Sequence, residues 1–147
     1  MADRYALEFV GVKDGTQSPP KKHDGRLVGA KDRRIRASKA VLADAIGDRI
    51  FIGTLPQGSS LRSISINTDT SLGSATIAIG TTGTPAKYVA ATTFTTPLDK
   101  PAALGPKASA AVAAPLTADE DIWVTVAAAA LPVGAIVSFE MTYSTST

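Results

Sequence analysis

The sequence predicts an all-β chain: an antiparallel β-sandwich preceded by an extended basic N-terminal arm. Two observations predict the sandwich and one the arm. Short apolar runs with period-two alternation recur from Asp48 onward, the pattern of half-buried strands. Clusters of Gly, Pro, Asp, Asn, Ser and Thr separate them at the spacing of a sandwich or barrel. Charge is uneven: residues 1–50 hold 11 Lys/Arg against 7 Asp/Glu, the remainder 4 against 6. Such asymmetry marks a basic segment joined to a nearly neutral body. At 147 residues the chain fits one folded unit. The expected division is an arm over 1–40 and a sandwich over 41–147.

Taken in order, residues 1–30 have weak periodicity and much turn chemistry, including Asp14-Gly15, Ser18-Pro19-Pro20 and Lys21-Lys22-His23-Asp24-Gly25. Adjacent prolines favour extended backbone and forbid a helix there. Arg33 to Ser38 alternates like a strand with one charged face. Ala40 to Ile46 suits either one helical turn or a short extended stretch. Asp48 to Leu55 puts Ile50 and Ile52 on one face and Phe51 on the other, with a turn at Pro56-Gln57-Gly58. Leu61 to Asn67 pairs Ile64 with Ile66 by parity but leaves Leu61 on the opposite one, which predicts a bulge near Arg62 or Ser63. Ser74 to Gly80 turns Ala75, Ile77 and Ile79 inward, and Lys87 to Thr96 follows with Tyr88, Val89 and Phe94. Pro97, Pro101, Pro106 and Pro115 punctuate 97–118, a long crossover with one short strand; Ala108 to Ala114 is too short for a stable isolated helix. Asp121 to Ala127 and Ala135 to Tyr143 alternate most clearly, and an antiparallel pair joined across Ala127–Gly134 is expected.

Composition excludes much chemistry. With no Cys there is no disulfide, thiolate metal site or thiol nucleophile. The one histidine, His23, has no Gly-x-Ser-x-Gly elbow to serve. Neither the Gly-x-Gly-x-x-Gly nor the P-loop pattern occurs. No cofactor or metal and no enzymatic activity are expected. Asp119, Glu120 and Asp121 could offer oxygens to calcium, but neighbouring strand residues point to opposite sides, so ordinary surface charge at a strand entry is favoured. The uncharged run Ile122 to Phe139 has 18 residues, yet Pro132 and Gly134 interrupt it and each half alternates. Strands are expected rather than a membrane helix. The first ten residues contain Asp3, Arg4 and Glu8 and no apolar core of a secretory signal, so a soluble protein is expected.

The basic run Lys31, Arg33, Arg34, Arg36 could meet phosphates or an acidic protein surface, or lie solvated. Arg34 and Arg36 share parity while Arg33 faces the other way. Stacking aromatics are not interleaved with them, so nucleic acid is the weakest of these partners. Trp123 and Tyr88 could line a sugar-binding face, but packing in a core or interface is favoured for Trp123.

Several phrases resemble those of small virion proteins of tailed bacteriophages, the capsid decoration or cement proteins. They are Ile50-Phe51-Ile52-Gly53-Thr54-Leu55-Pro56-Gln57-Gly58, Thr70 to Gly80, Pro85-Ala86-Lys87-Tyr88-Val89-Ala90-Ala91, and Leu116 to Ile122 with Val124 to Ala128 and Leu131-Pro132-Val133-Gly134. Lys31 to Tyr143 falls within the resemblance. It implies a β-sandwich or jelly roll bound to the outside of a capsid, in a protein made in the host cytoplasm. The implied partners are the major capsid protein and further copies of the chain, as a homotrimer or homodimer. Lys21, Lys22, Arg26, Lys31, Arg33, Arg34 and Arg36 become candidate capsid- or subunit-binding residues, suited to an acidic exterior. The alternative is a receptor- or glycan-binding module of a virion fibre or tail, using Trp123, Tyr88 and the loops.

Overall fold

Eight strands build two four-stranded sheets in the computed structural model, which describes residues 15–19, 31–40, 45–111, 114–133 and 136–145. The strands are β1 (Lys31–Ala40), β2 (Arg49–Leu55), β3 (Ser60–Thr68), β4 (Thr76–Gly80), β5 (Val89–Thr93), β6 (Ala102–Gly105), β7 (Glu120–Ala127) and β8 (Ile136–Thr145). One helical turn, α1 (Ala108–Ala111), lies between β6 and β7. The first sheet runs β1-β8-β3-β6 and the second β2-β7-β4-β5, and every pair is antiparallel. Every connection except β4–β5 passes from one sheet to the other. This is the strand order of a jelly roll, so the expected all-β sandwich is the observed fold.

The core lies between the two inner faces. Ile50, Ile52 and Leu55 of β2 and Ile122, Val124 and Val126 of β7 meet Ile64 and Ile66 of β3 and Val137, Phe139 and Met141 of β8, all buried. Each such side chain contributes about 1.5–3 kcal/mol by leaving water. Leu72, Ala75, Ile77, Ile79, Tyr88, Val89 and Leu131 complete the cluster. The foreseen bulge in β3 is present, as a register shift against β8 between Leu61 and Ser63. A second bulge in β2, between Phe51 and Gly53, is stabilised by glycine chemistry: Gly53 has φ +153°, and a Cβ there would come within 2.9 Å of Ile35 Cγ2.

The connections sort by end. Those between β1 and β2, β3 and β4, β5 and β6, and β7 and β8 share one end of the sandwich. There Leu72 N–H donates to Phe94 O (2.8 Å), Leu98 N–H to Thr68 O (3.0 Å) and Gly47 N–H to Val126 O (2.8 Å). The other end holds Lys31, Thr145 and the remaining three connections. Gly58 N–H donates there to Leu116 O (2.8 Å), and Lys107 N–H to Tyr88 O (2.9 Å).

Three particulars differ from the sequence reading or refine it. β7 and β8 are not hairpin partners: β7 lies between β2 and β4 in one sheet, β8 between β1 and β3 in the other. Period two fixes which side chains face inward but not which strand lies alongside, and both stripes face the same core across the sandwich. Lys31–Ala40, placed by the sequence reading within the arm, is a strand of the first sheet paired with β8 along its whole length. The membrane-length run Ile122 to Phe139 spans parts of β7 and β8, and no helix among the described residues is long and apolar enough to cross a membrane.

Candidate interaction surfaces

The basic segment is an edge strand. Among the described residues, β1 pairs with β8 alone and so forms one edge of the first sheet. Ile35 and Ala37 turn toward the core and are partly buried, which sends Arg34 and Arg36 to the outer face. Arg34 Nη1 lies 3.8 Å from Glu140 Oε1, an exposed pair worth little to stability. Arg36 stands opposite Glu140 in register, and Lys31 and Arg33 have the other parity; all four basic residues are exposed. Positive charge along a sheet edge also discourages indiscriminate strand addition. Lys21, Lys22, Arg26 and His23 lie outside the described residues.

Between β1 and β2, the edge strands of the two sheets among the described residues, a cleft of about 300 Å³ opens at the side of the sandwich, lined by Ala37, Ser38, Arg49, Ile50, Phe51, Ile52 and Phe139. Its walls come from both sheets, so no stretch of sequence signals it. On the outer face of the second sheet, Phe51 and Trp123 are register partners. Their rings meet edge to face with centroids 5.2 Å apart. The Arg49 guanidinium lies 4.5 Å over the Trp123 ring and donates to Thr82 Oγ1 at 2.9 Å. Charge over an aromatic face is attracted by the ring quadrupole. The sequence reading placed Phe51 opposite Ile50 and Ile52 and Trp123 opposite Ile122 and Val124. The missing link was register, which alone brings the two aromatics and Arg49 together.

Tyr88 does not share that face. It is buried in the core, and its hydroxyl donates to Glu120 Oε1. A sugar platform made of Trp123 and Tyr88 therefore does not form. The three consecutive carboxylates also diverge. Asp119 accepts from Gln57 N–H (2.8 Å) and Asp121 from the Thr54 hydroxyl (2.7 Å), while Glu120 takes Lys87 Nζ (2.6 Å) and Tyr88. Burial, and then the Glu120 carboxylate beside it, push the Tyr88 hydroxyl well above the ordinary tyrosine range. Among the described residues, no three Asp, Glu or His side chains gather as a metal site. Each carboxylate is instead tied to a different segment: Asp119 to the β2–β3 turn, Glu120 to the β4–β5 connection and Asp121 to β2.

No protein-family model matches the chain, and neither does any curated protein. Solved structures do share its fold. It is similar to a chain of the cyanophage Pam1 capsid asymmetric unit, with a TM-score of 0.62 and 16% identity over 91% of this chain and 99% of that one. A chain in the acid-stable capsid of Helicobacter pylori bacteriophage KHP30 matches with a TM-score of 0.58 and 11% identity, over 79% and 89% of the two chains. A chain in the capsid of Ralstonia phage GP4 matches with a TM-score of 0.52 and 20% identity, over 80% and 85%. What this chain has in common with all three is its fold, over most of its length.

Proposed function

We propose that this chain is a structural virion protein that binds the outside of a bacteriophage capsid and stabilises it as a decoration, or cement, protein. One observation carries the reading: the fold match extends over 85–99% of chains found in the capsids of three phages. The matched chains are thus units of this size, rather than a small module within a large shell subunit. The chemistry agrees with a binding role: the polar clusters of the body tie neighbouring segments into a rigid unit.

In this reading the sandwich is the rigid body and residues 1–30 a clamp on the major capsid protein or on a sister copy. Lys21, Lys22, Arg26, Lys31, Arg33, Arg34 and Arg36 meet an acidic exterior, where rim charges set encounter rate and specificity. Extended segments add main-chain hydrogen bonds to a neighbour's sheet edge. The test is quantitative mass spectrometry of purified particles, counting this chain against the major capsid protein. A ratio near one, or a simple fraction set by lattice symmetry, is expected. A handful of copies would place it on a tail or vertex, and absence from particles would overturn the proposal. Deleting residues 1–30 should empty the shell sites while leaving the isolated sandwich folded.

A further inference from the structure

We infer that the outer face of the first sheet carries an oligosaccharide site, a trough whose ligand is a short, neutral sugar chain. The inference does not depend on the capsid reading.

Register builds the trough. Arg36, Glu140 and Ser65 stand in one row across β1, β8 and β3, and Ser38, Ser138 and Asn67 in the next, all on the outer face. The Ser38 and Ser138 hydroxyls lie 2.9 Å apart and join their strands. Two hollows lie over these rows. One, of about 230 Å³, takes in Arg36, Ser65, Asn67, Pro101, Ser138 and Glu140. The other, of about 250 Å³, takes in Asn67, Asp69, Leu98, Ile136 and Ser138. They share Asn67 and Ser138, so they run into one another. Ser65 to Asp69 is four steps along β3 and just past its end, which gives the trough a length of roughly 13 Å.

Its chemistry selects the ligand. Asp119, Glu120 and Asp121 are each engaged within the chain. In the trough, by contrast, no side chain or carbonyl among the described residues takes up the Arg36 guanidinium, the Ser65 hydroxyl or the Asn67 amide. Both hydrogen bonds to Asp69 end on Oδ1, so Oδ2 remains to accept. An amide offers donors and acceptors together, and a guanidinium and two carboxylates flank this one, so adjacent sugar hydroxyls can be met in both senses. Pro101, Leu98 and the half-exposed Ile136 supply apolar ground for the C–H face of a ring. A few placed polar groups beside an apolar wall are the make-up of a small-molecule site. Charge and topology disfavour other occupants. Glu140 and Asp69 would repel a polyanion, and Glu140 already lies 3.8 Å from Arg34. β8 and β3 are interior strands with neighbours on both sides, so a peptide has no edge there to extend.

The test is saturation-transfer difference NMR on the full chain with four neutral trisaccharides, maltotriose, cellotriose, mannotriose and chitotriose, and a heparin tetrasaccharide as the anionic comparison. At least one neutral trisaccharide should bind with a dissociation constant of roughly 1 mM or tighter, and heparin should not displace it. Asn67→Ala, at a half-buried position, should weaken that binding about tenfold while the melting temperature stays near the parent's. Ser138→Leu, where the two hollows meet, should abolish it. Phe51→Ser, on the outer face of the other sheet, should bind as the parent does. Failure of all four neutral trisaccharides to bind at roughly 10 mM would overturn the inference. So would a stronger signal from heparin, or binding that Phe51→Ser removes and Asn67→Ala leaves intact.

Discussion

Lys87 Nζ lies 2.6 Å from Glu120 Oε2, joining the β4–β5 connection to the first residue of β7. The other oxygen of that carboxylate takes the buried Tyr88 hydroxyl. Glu120→Ala leaves the buried Tyr88 hydroxyl without its acceptor, at a cost of about 1–3 kcal/mol, while Lys87, about a third exposed, can turn to water. The variant should lose that much stability in urea unfolding. Glu120→Gln, which still accepts from Tyr88, should lose about 1 kcal/mol.

Tyr88 gives the protein an alkaline limit. Burial and the Glu120 carboxylate raise its proton affinity in the fold above the ordinary value of 10.0. An unfolded chain therefore ionises this tyrosine first, and the associated stability, complete below about pH 10, is lost as pH climbs further. Tyrosinate absorbance near 295 nm should show one tyrosine silent until the chain unfolds, and Tyr88→Phe should remove that component of the alkaline decline.

Asp69 acts at the acid end of the scale. Its carboxylate accepts from the Ile136 backbone N–H (3.1 Å) and from the Thr70 hydroxyl (3.0 Å), and these bonds, the backbone one foremost, hold its pKa below the ordinary 3.8. A depressed carboxylate contributes stability above that value, and the contribution disappears as pH falls through the lowered one. Melting temperature measured between neutral pH and strong acid should fall less steeply for Asp69→Asn than for the parent, because the variant has no such proton to bind.

Gly53 sits where the second sheet approaches Ile35 and Met141 of the first. A side chain at φ +153° is strained, and its Cβ would sit 2.9 Å from Ile35 Cγ2 and 3.2 Å from Met141 Cε. Gly53→Val should cost about 2–4 kcal/mol through overpacking and backbone strain. Gly58→Ala, with open space around its Cβ but a φ of +80°, should cost only about 1 kcal/mol. Chemical denaturation of the two variants side by side separates the steric part from the conformational one.

The arginines of β1 should behave in the opposite way. Arg33, Arg34 and Arg36 are exposed, and the Arg34–Glu140 pair is long. Replacing all three with Gln should change stability by no more than about 0.5 kcal/mol per site. If β1 meets an acidic capsid surface, particle occupancy of the triple variant should fall and lose much of its dependence on salt.

Much of this fold is legible in its alternation. Ile50 with Ile52, Ile122 with Val124 and Val126, and Val137 with Phe139 and Met141 announce their inward faces, because a half-buried strand has no other way to satisfy both surfaces. Even the displaced parity of Leu61 locates a bulge. Pairing is a different kind of information. β7 and β8 would bury the same residues as a hairpin or, as here, from opposite sheets, so composition along either strand does not discriminate. The surfaces suffer the same loss: Arg49, Phe51 and Trp123 are separated by more than seventy residues at their extremes and meet only through the β2–β7 register. Tyr88 is open to a sugar-face reading in sequence because the partner that takes its hydroxyl, Glu120, lies 32 residues away.

β1 and β8, near the two ends of the body, face each other in ten consecutive register pairs from Lys31–Thr145 to Ala40–Ile136. A tension applied at Lys31 along the axis of β1 would load those pairs in shear, all together, rather than peeling them one after another. β8 in turn is backed by β3 on its far side. A load carried by β1 is thus passed to an interior strand, flanked on both sides, rather than to an edge.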